Sequence, residues 1–269
     1  MQYLKSGTYS ATFVLNGLEI IALSDGYVDL AASRLRKAGD QPFGSDLPKD
    51  IPLYEGKLRL SVNAYLIRFG DELTLIDTGA SNAWLPTMGR LFEALDEASI
   101  SREAIRTVAL THTHEDHVHG LVAPDGSDGF PNLERLLVPA EEIPLFEREV
   151  RLERFHGRAT PIHDGYAVND HIVAVAAHGH EIGHTAYEVS AGDANLLIWG
   201  DIVHVPSVQF TQPDLTWGAD ADQDAARETR KEMLKRASAP DVFVAGSHLD
   251  FPGVGRVVAT DTAYAFEPI

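Results

Sequence analysis

Residues 111 to 120 read Thr-His-Thr-His-Glu-Asp-His-Val-His-Gly, so His112, His114, Asp116 and His117 crowd four metal-type donors into six positions. The run just upstream, Arg106 to Leu110, is β-branched and apolar, the pattern of a short buried strand. The histidines therefore sit where a strand gives way to a loop. On an extended segment His112 and His114 project to one face, because side chains alternate with period two. Asp116 and His117 then fall on the following turn and fold back toward that face. Neutral imidazole nitrogens and a carboxylate suit zinc and similar first-row ions, and four of them this close can serve more than one ion. A solvated His-rich loop is the plain alternative. The Asp inside the cluster, the strand before it and Gly120 after it weigh against that.

A fold that uses such a cluster must bring further donors to it, and composition limits what they can be. The 269 residues contain no cysteine, so disulfides and thiolate ligands are excluded and any metal is held by His and carboxylates. A hydrophobic content of 44% with 23% charged residues is ordinary for a soluble globular chain with a sizeable core. The formal charge of −18 argues against nucleic acid or an acidic membrane surface as a partner. No apolar run approaches the roughly 20 residues of a transmembrane helix. The N-terminus lacks a basic region followed by an apolar one, and with the missing cysteines this points to a cytoplasmic location. A homodimer stays open.

Taken in order, the chain alternates strands with few helices. Runs at 12–15 and 18–24 flank Asn16-Gly17, a hairpin signal, and Asp25-Gly26 is expected to close the second run. Residues 31 to 57 show little periodicity and read as a long loop with one helical turn, a place for a site entrance. A second hairpin spans 62–69 and 73–76 and ends in Asp77-Thr78-Gly79; Asp77 either holds the turn or hydrogen-bonds a ligating histidine. Residues 87 to 98 predict an amphipathic helix, Ser101 an N-cap, and 133–139 a strand. Residues 141 to 158 are helical in bias, with Phe146, Leu152 and Phe155 spaced for one apolar face. Strands follow at 172–177, 186–189, 195–199 and 241–245, and a terminal pair at 255–260 and 262–266. Helix 221–237 carries Asp222, Asp224 and Glu228 early and Lys231, Lys235 and Arg236 late, the order the helix dipole favours. No linker or internal repeat divides the chain, so residues 1–269 are expected to form one domain.

Polar metal-type residues recur just past the ends of apolar strands: Asp77, the 112–117 cluster, His180, Asp201 and His248. In layered α/β folds, strand ends along one sheet edge gather functional groups. The order H-x-H-x-D-H, then Gly-His, Gly-Asp and a late His, after an early Asp-Thr-Gly, resembles the metallo-β-lactamase fold superfamily from about residue 11 to the C-terminus. Segments 203–214 and 244–253 are similar to its branch containing methyl parathion hydrolase and several lactonases. The resemblance implies an α/β fold, a four-layer αβ/βα sandwich with a dinuclear site at one edge. It implies that His112, His114 and His180 hold one divalent ion, that Asp116, His117 and His248 hold a second, and that Asp201 bridges them. Zn2+ is the expected metal, with Mn, Fe or Co as alternatives. Such a pair lowers the pKa of a shared water, and the resulting hydroxide attacks a small ester-like molecule, a lactone first and an aryl ester or phosphotriester second. Asp116 is placed to pass the proton to the leaving group.

Departures from the family's pattern sharpen this reading. The subclass with a Cys ligand is excluded, and His114 stands where flavodiiron relatives carry Glu. Homoserine lactone lactonases place a Tyr three residues after the bridging Asp; here that residue is His204, which either takes over as a catalytic donor to the substrate or is a packed, satisfied side chain. Glyoxalase II-like thioesterases are a near rival, and a metal-loaded binding module is the non-catalytic alternative. His180-Glu-Ile-Gly-His184 matches the H-E-x-x-H protease signature, but Gly179 and Gly183 disfavour the helix that chemistry requires, leaving His184 a supporting role. His119 and His178, beside ligands, are candidates for the same role. The substrate pocket is expected to draw on residues 31–57 and 146–168 and on Phe210 and Trp217.

Overall fold

Strand Leu18–Ala31 sends Leu18, Ile20 and Ala22 to one side and Ile21 and Leu23 to the other, and all five are buried. Strand Lys57–Phe69 does the same with Tyr65 and Ile67 against Ala64 and Leu66. A strand apolar on both faces must be covered on both. In the computed structural model, which describes residues 1–43, 46–49 and 51–269, these strands lie in the middle of an eight-stranded sheet. Its order is Gln2–Ser6, Ser10–Leu15, Leu18–Ala31, Lys57–Phe69, Glu72–Ile76, Thr107–Ala109, Arg135–Pro139 and Ala159–Ile162. A six-stranded sheet runs Ile172–Ala176, Thr185–Ala191, Ala194–Ile198, Val242–Ala245, Val254–Ala259 and Tyr264–Pro268.

The two sheets face each other across one core, where Phe13, Ile20, Tyr65 and Ile76 meet Ile172, Tyr187, Ile198 and Phe243. Helix Leu91–Glu97 and the segment holding Phe146, Leu152 and Phe155 cover the outer face of the larger sheet. Helix Gln223–Ala237 covers the smaller sheet through Met233, Leu234 and Ala237. Asp222 caps that helix by accepting from the N–H groups of Asp224 and Ala225. The four layers are those of an αβ/βα sandwich.

Several elements differ from the sequence expectation. Strand Leu18–Ala31 continues through Asp25-Gly26, which form a bulge instead of an end. The Asp25 carboxylate there accepts from the backbone of Ala80, Gly89 and Leu91, tying the strand to the start of the next helix. That helix begins only at Leu91, because Gly89 adopts φ +84° and breaks the preceding turn. Residues 141–158 are not one helix but three short turns; Leu152 and Phe155, three apart in a 3-10 stretch, share a face and both reach the core. Segment 31–57 contributes strands Leu35–Lys37 and Gln41–Pro42 to a small sheet with Thr216–Trp217; Gly44, Ser45 and Asp50 of that segment lie outside the described residues. The edge strand Gln2–Ser6 carries no burial pattern and escaped the sequence reading.

Strands Glu72–Ile76, Thr107–Ala109 and Arg135–Pro139 run parallel, as do Ala194–Ile198 and Val242–Ala245. Their C-terminal ends meet at one edge of the sandwich, where the Thr185 N–H donates to the Thr111 carbonyl at 2.9 Å and the Tyr187 hydroxyl to the Leu110 carbonyl at 2.6 Å. The close approach of the two loops beyond these ends depends on Gly120. A Cβ at that position would lie 1.7 Å from the Thr78 carbonyl oxygen. Gly120→Ala should therefore destabilise the metal-free protein by about 1–3 kcal/mol, as overpacking against rigid backbone does. Urea unfolding checks this, and an unchanged midpoint would mean that the two loops are free to separate.

Candidate metal centre

Asp77 follows the buried strand Glu72–Ile76 and sits in the left-handed region at φ +62°, which Asp tolerates better than most residues. The turn swings its carboxylate under the histidine loop. Oδ1 accepts from the Thr111 N–H at 2.8 Å, and Oδ2 accepts from the Thr111 hydroxyl and from His117 Nδ1, each at 2.8 Å. Thr111 Oγ1 lies 3.0 Å from His112 Nδ1, so one carboxylate orients two imidazoles, one directly and one through a hydroxyl. Glu142, fully buried, holds the same loop from the other side: it accepts from the Thr113 N–H and hydroxyl and from the Gly183 N–H.

The remaining rings are held alike. His114 Nε2 faces Glu181 at 2.9 Å, His180 Nδ1 faces Asp220 at 2.8 Å, and His248 Nδ1 donates to the Ser61 carbonyl at 2.7 Å. Asp220 also accepts from the Trp217 N–H, and the buried Arg230 guanidinium of helix Gln223–Ala237 lies 3.8 Å from it. Each of these five imidazoles spends one nitrogen on an outer partner, which fixes the tautomer and aims the other nitrogen inward.

Those inward atoms converge. His112 Nε2 and His180 Nε2 lie 3.0 and 3.1 Å from His114 Nδ1, with Asp201 Oδ2 3.3 Å from His180. His117 Nε2 and His248 Nε2 each stand 3.7 Å from an oxygen of Asp116, and reach Asp201 at 3.3 and 3.0 Å. The donors thus form two groups, His112/His114/His180 and Asp116/His117/His248, with the Asp201 carboxylate between them. His117 Nε2 and Asp201 Oδ1 are buried with no hydrogen-bond partner, although they are 3.3 Å apart. Buried polar atoms left so are costly, and a divalent cation between them satisfies both. The donor set, nitrogen and oxygen without sulfur, fits Zn2+ and its first-row neighbours.

Electrostatics agree. Burial opposes charge on His180, yet hydrogen bonds and charge from Asp201 and Asp220 push its imidazole up to about 10. Burial works against the Asp201 carboxylate too, but His248 and His117 hold it well below the usual range. His184 behaves differently: burial, then the neighbouring His180, push it down to about 3, so it stays neutral. Its Nδ1 donates to the Ala177 carbonyl and its Nε2 accepts the Asp201 N–H at 3.0 Å, placing it behind the cluster. Residues 178–184 form a turn, not a helix, which removes the protease geometry.

A cavity of about 290 Å3 opens over the donors, walled by Val28, Leu30, Leu60, Trp84 and Trp217, with Arg34 at its side. Of the expected pocket residues, Trp217 and, from 31–57, Arg34 line it. Residues 146–168 do not, and Phe210 is buried between Trp199 and Phe266 in the core beneath the helix. The turns at 146–155 pack on the outer face of the larger sheet, which takes them away from the edge. His178 is exposed and His119 pairs with Glu149; neither bonds a member of the cluster. His204 is packed but not satisfied: neither ring nitrogen has a partner. Asp220, Glu142, Glu181 and Arg230 were missed, since an acid or a lone Arg in a loop or helix carries no sequence signal of what it will face.

Asp220→Ala should weaken metal binding by about 10–100-fold, because His180 loses the group that orients it; chelator competition would measure this, and unchanged affinity would remove Asp220 from the site. Metal binding must also displace the proton that His180 holds below about 10. Apparent affinity should therefore rise as pH is raised from neutral toward that value, with proton release on binding. A flat profile would contradict the arrangement.

Comparison with known proteins places the chain in a family and a fold. Residues 58–248, from the strand Lys57–Phe69 to the last histidine of the cluster, match the metallo-beta-lactamase superfamily. No curated protein sequence matches significantly. Among solved structures, the chain is similar to AidC, a dizinc quorum-quenching lactonase in complex with an N-hexanoyl-L-homoserine product, with a TM-score of 0.86 at 22% identity over 97% of each chain. It is similar to the hydrolase AbOPH of the beta-lactamase superfamily, with a TM-score of 0.82 at 24% identity over 98% of this chain and 99% of the other. A probable metal-dependent hydrolase from Staphylococcus aureus gives 0.75 at 16% identity over 96% and 99%. With the family match spanning well over half its length, the chain belongs to the metallo-beta-lactamase superfamily.

Proposed function

We propose that this chain is a single-domain, dinuclear metal-dependent hydrolase that opens a small lactone. The observation that carries the reading is the pair of donor groups sharing Asp201 at the base of a cavity with apolar walls. A volume of about 290 Å3 suits a small molecule more than a polymer. The likeness to AidC, which is described as a lactonase with its product bound, supports a lactone over other esters. His112, His114 and His180 would hold one ion, Asp116, His117 and His248 the second, and Asp201 both; zinc is the metal proposed. Two such cations supply Lewis acidity and a water activated at neutral pH.

The chain's own groups do the rest. Leu30, Leu60 and the two tryptophans exclude bulk water and hold the acyl portion of the substrate. Asp116, 94% buried at the cavity floor, is placed to carry a proton from the attacking water to the departing ring oxygen. Water adds to the carbonyl carbon, the ring C–O bond breaks, and the alkoxide takes that proton, giving a hydroxy acid. The flat faces of Trp84 and Trp217 favour one second reading, an aryl ester or aryl phosphotriester whose leaving group stacks there.

Metal-replete protein assayed on a panel of lactones, aryl esters, thioesters and phosphotriesters should turn over lactones best. His112→Ala and Asp201→Ala should each lower kcat/KM by at least about a thousandfold, about 4 kcal/mol of transition-state stabilisation, and reduce bound metal below two per chain. Full activity in either variant with unchanged metal content would refute the assignment, and a replete protein inert on the whole panel would favour a binding module.

A further inference from the structure

We propose that His204 is itself a metal ligand of this centre, a sixth imidazole beside Asp201, His180 and His248. The inference rests on the dinuclear reading above and extends its donor set.

His204 lies in the turn that follows Asp201 and is almost fully buried, yet neither of its ring nitrogens has a hydrogen-bond partner. Leaving a buried polar group unpaired costs on the order of 1–3 kcal/mol, so a native structure that does this at a functional site has something else to satisfy it. What the ring faces is informative. Its Nε2 stands 3.3 Å from Asp201 Oδ2, without the alignment of a hydrogen bond. Donor atoms that share one ion at about 2.0–2.2 Å sit about 3.0–3.5 Å from each other. The same spacing separates Asp201 Oδ2 from His180 Nε2, at 3.3 Å, and from His248 Nε2, at 3.0 Å. One donor atom from His204 falls within 4.8 Å of donors from Asp201 and His248, and equally of donors from His180 and Asp220, so it stands between the two groups. His204 thus stands among the ligand candidates at ligand spacing, not behind them as His184 does.

The ring is also oriented, by a different device. The other five imidazoles are aimed by an outer hydrogen bond, whereas His204 is clamped by stacking. Trp217 lies on one neighbour face at 5.0 Å between centroids and 13° between planes, and the His248 ring is 5.2 Å away at 27°. A flat aromatic clamp fixes the ring plane without needing a polar partner on Nδ1.

Substitution with Co2+ tests this without relying on turnover. In the wild-type protein loaded with two Co2+, six hyperfine-shifted, exchangeable imidazole N–H signals are expected by proton NMR; five signals with two ions bound would overturn the proposal. His204→Phe keeps the stacking, so the metal-free variant should melt no lower than metal-free wild type. It should bind one of its two Co2+ at least about tenfold more weakly, and show altered visible d–d absorption. Unchanged affinities and spectrum in the variant would overturn the proposal, whether or not hydrolysis is lost; loss of hydrolysis alone would make His204 a donor to substrate. A wild-type protein that takes up fewer than two Co2+ would instead sink the dinuclear reading itself.

Discussion

The buried carboxylate of Asp201 is the group on which the arrangement turns. It is almost fully withdrawn from water, and a bare anion in that position is prohibitively expensive. Four imidazole nitrogens, from His117, His180, His204 and His248, lie within 3.3 Å of its oxygens. They come from four separate segments, so the charge can be accommodated only when both sheets are assembled. The site and the fold are therefore one cooperative object: the loops have no reason to adopt these positions individually.

Rigid strands make that assembly possible. Three parallel strand ends of one sheet and two of the other stop at the same edge, and cross-sheet bonds from Thr185 and Tyr187 fix their relative height. Beyond the strands, buried acids do the fine positioning. Asp77 and Glu142 each accept from the histidine loop, and Asp220 reaches His180 while itself lying beside the buried Arg230. This outer ring of carboxylates orients the imidazoles it touches and turns their other nitrogens inward. Proton and metal then compete for the same nitrogens, which couples metal occupancy to pH.

The cavity above the donors has a different character. Its walls come from strand Leu18–Ala31 past the bulge, from Leu60, from Trp84 in a loop and from Trp217 in the small sheet. The bulge at Ser24–Gly26 matters here, since it lets the strand run on beyond the edge of the core and supply Val28 and Leu30 to the wall. Under the proposed function, apolar walls over a polar floor would hold an ester's carbon skeleton while leaving its carbonyl to the donors, and they lower the local dielectric around those donors.

How much of this the chain announces in its linear order follows from range. Alternation of apolar residues and turn pairs such as Asn16-Gly17 mark most strands, because period-two patterning and turn stereochemistry are local properties. The cluster at His112 to His117 is legible for the same reason, and His180, Asp201 and His248 are legible because each closes an apolar run. The short turns of 141–158 and the end of the second strand are not legible there, since the core that decides them is made by distant residues. Asp220, Glu142 and Arg230 could not be read at all: their roles exist only once helix, turn and histidine loop are packed together. By itself the sequence determined the donor types, their placement at strand ends and the layered class of fold. Tertiary structure alone decided which acid orients which ring, where the cavity opens and that His204 faces Asp201, because those relations are distances between segments far apart in the chain.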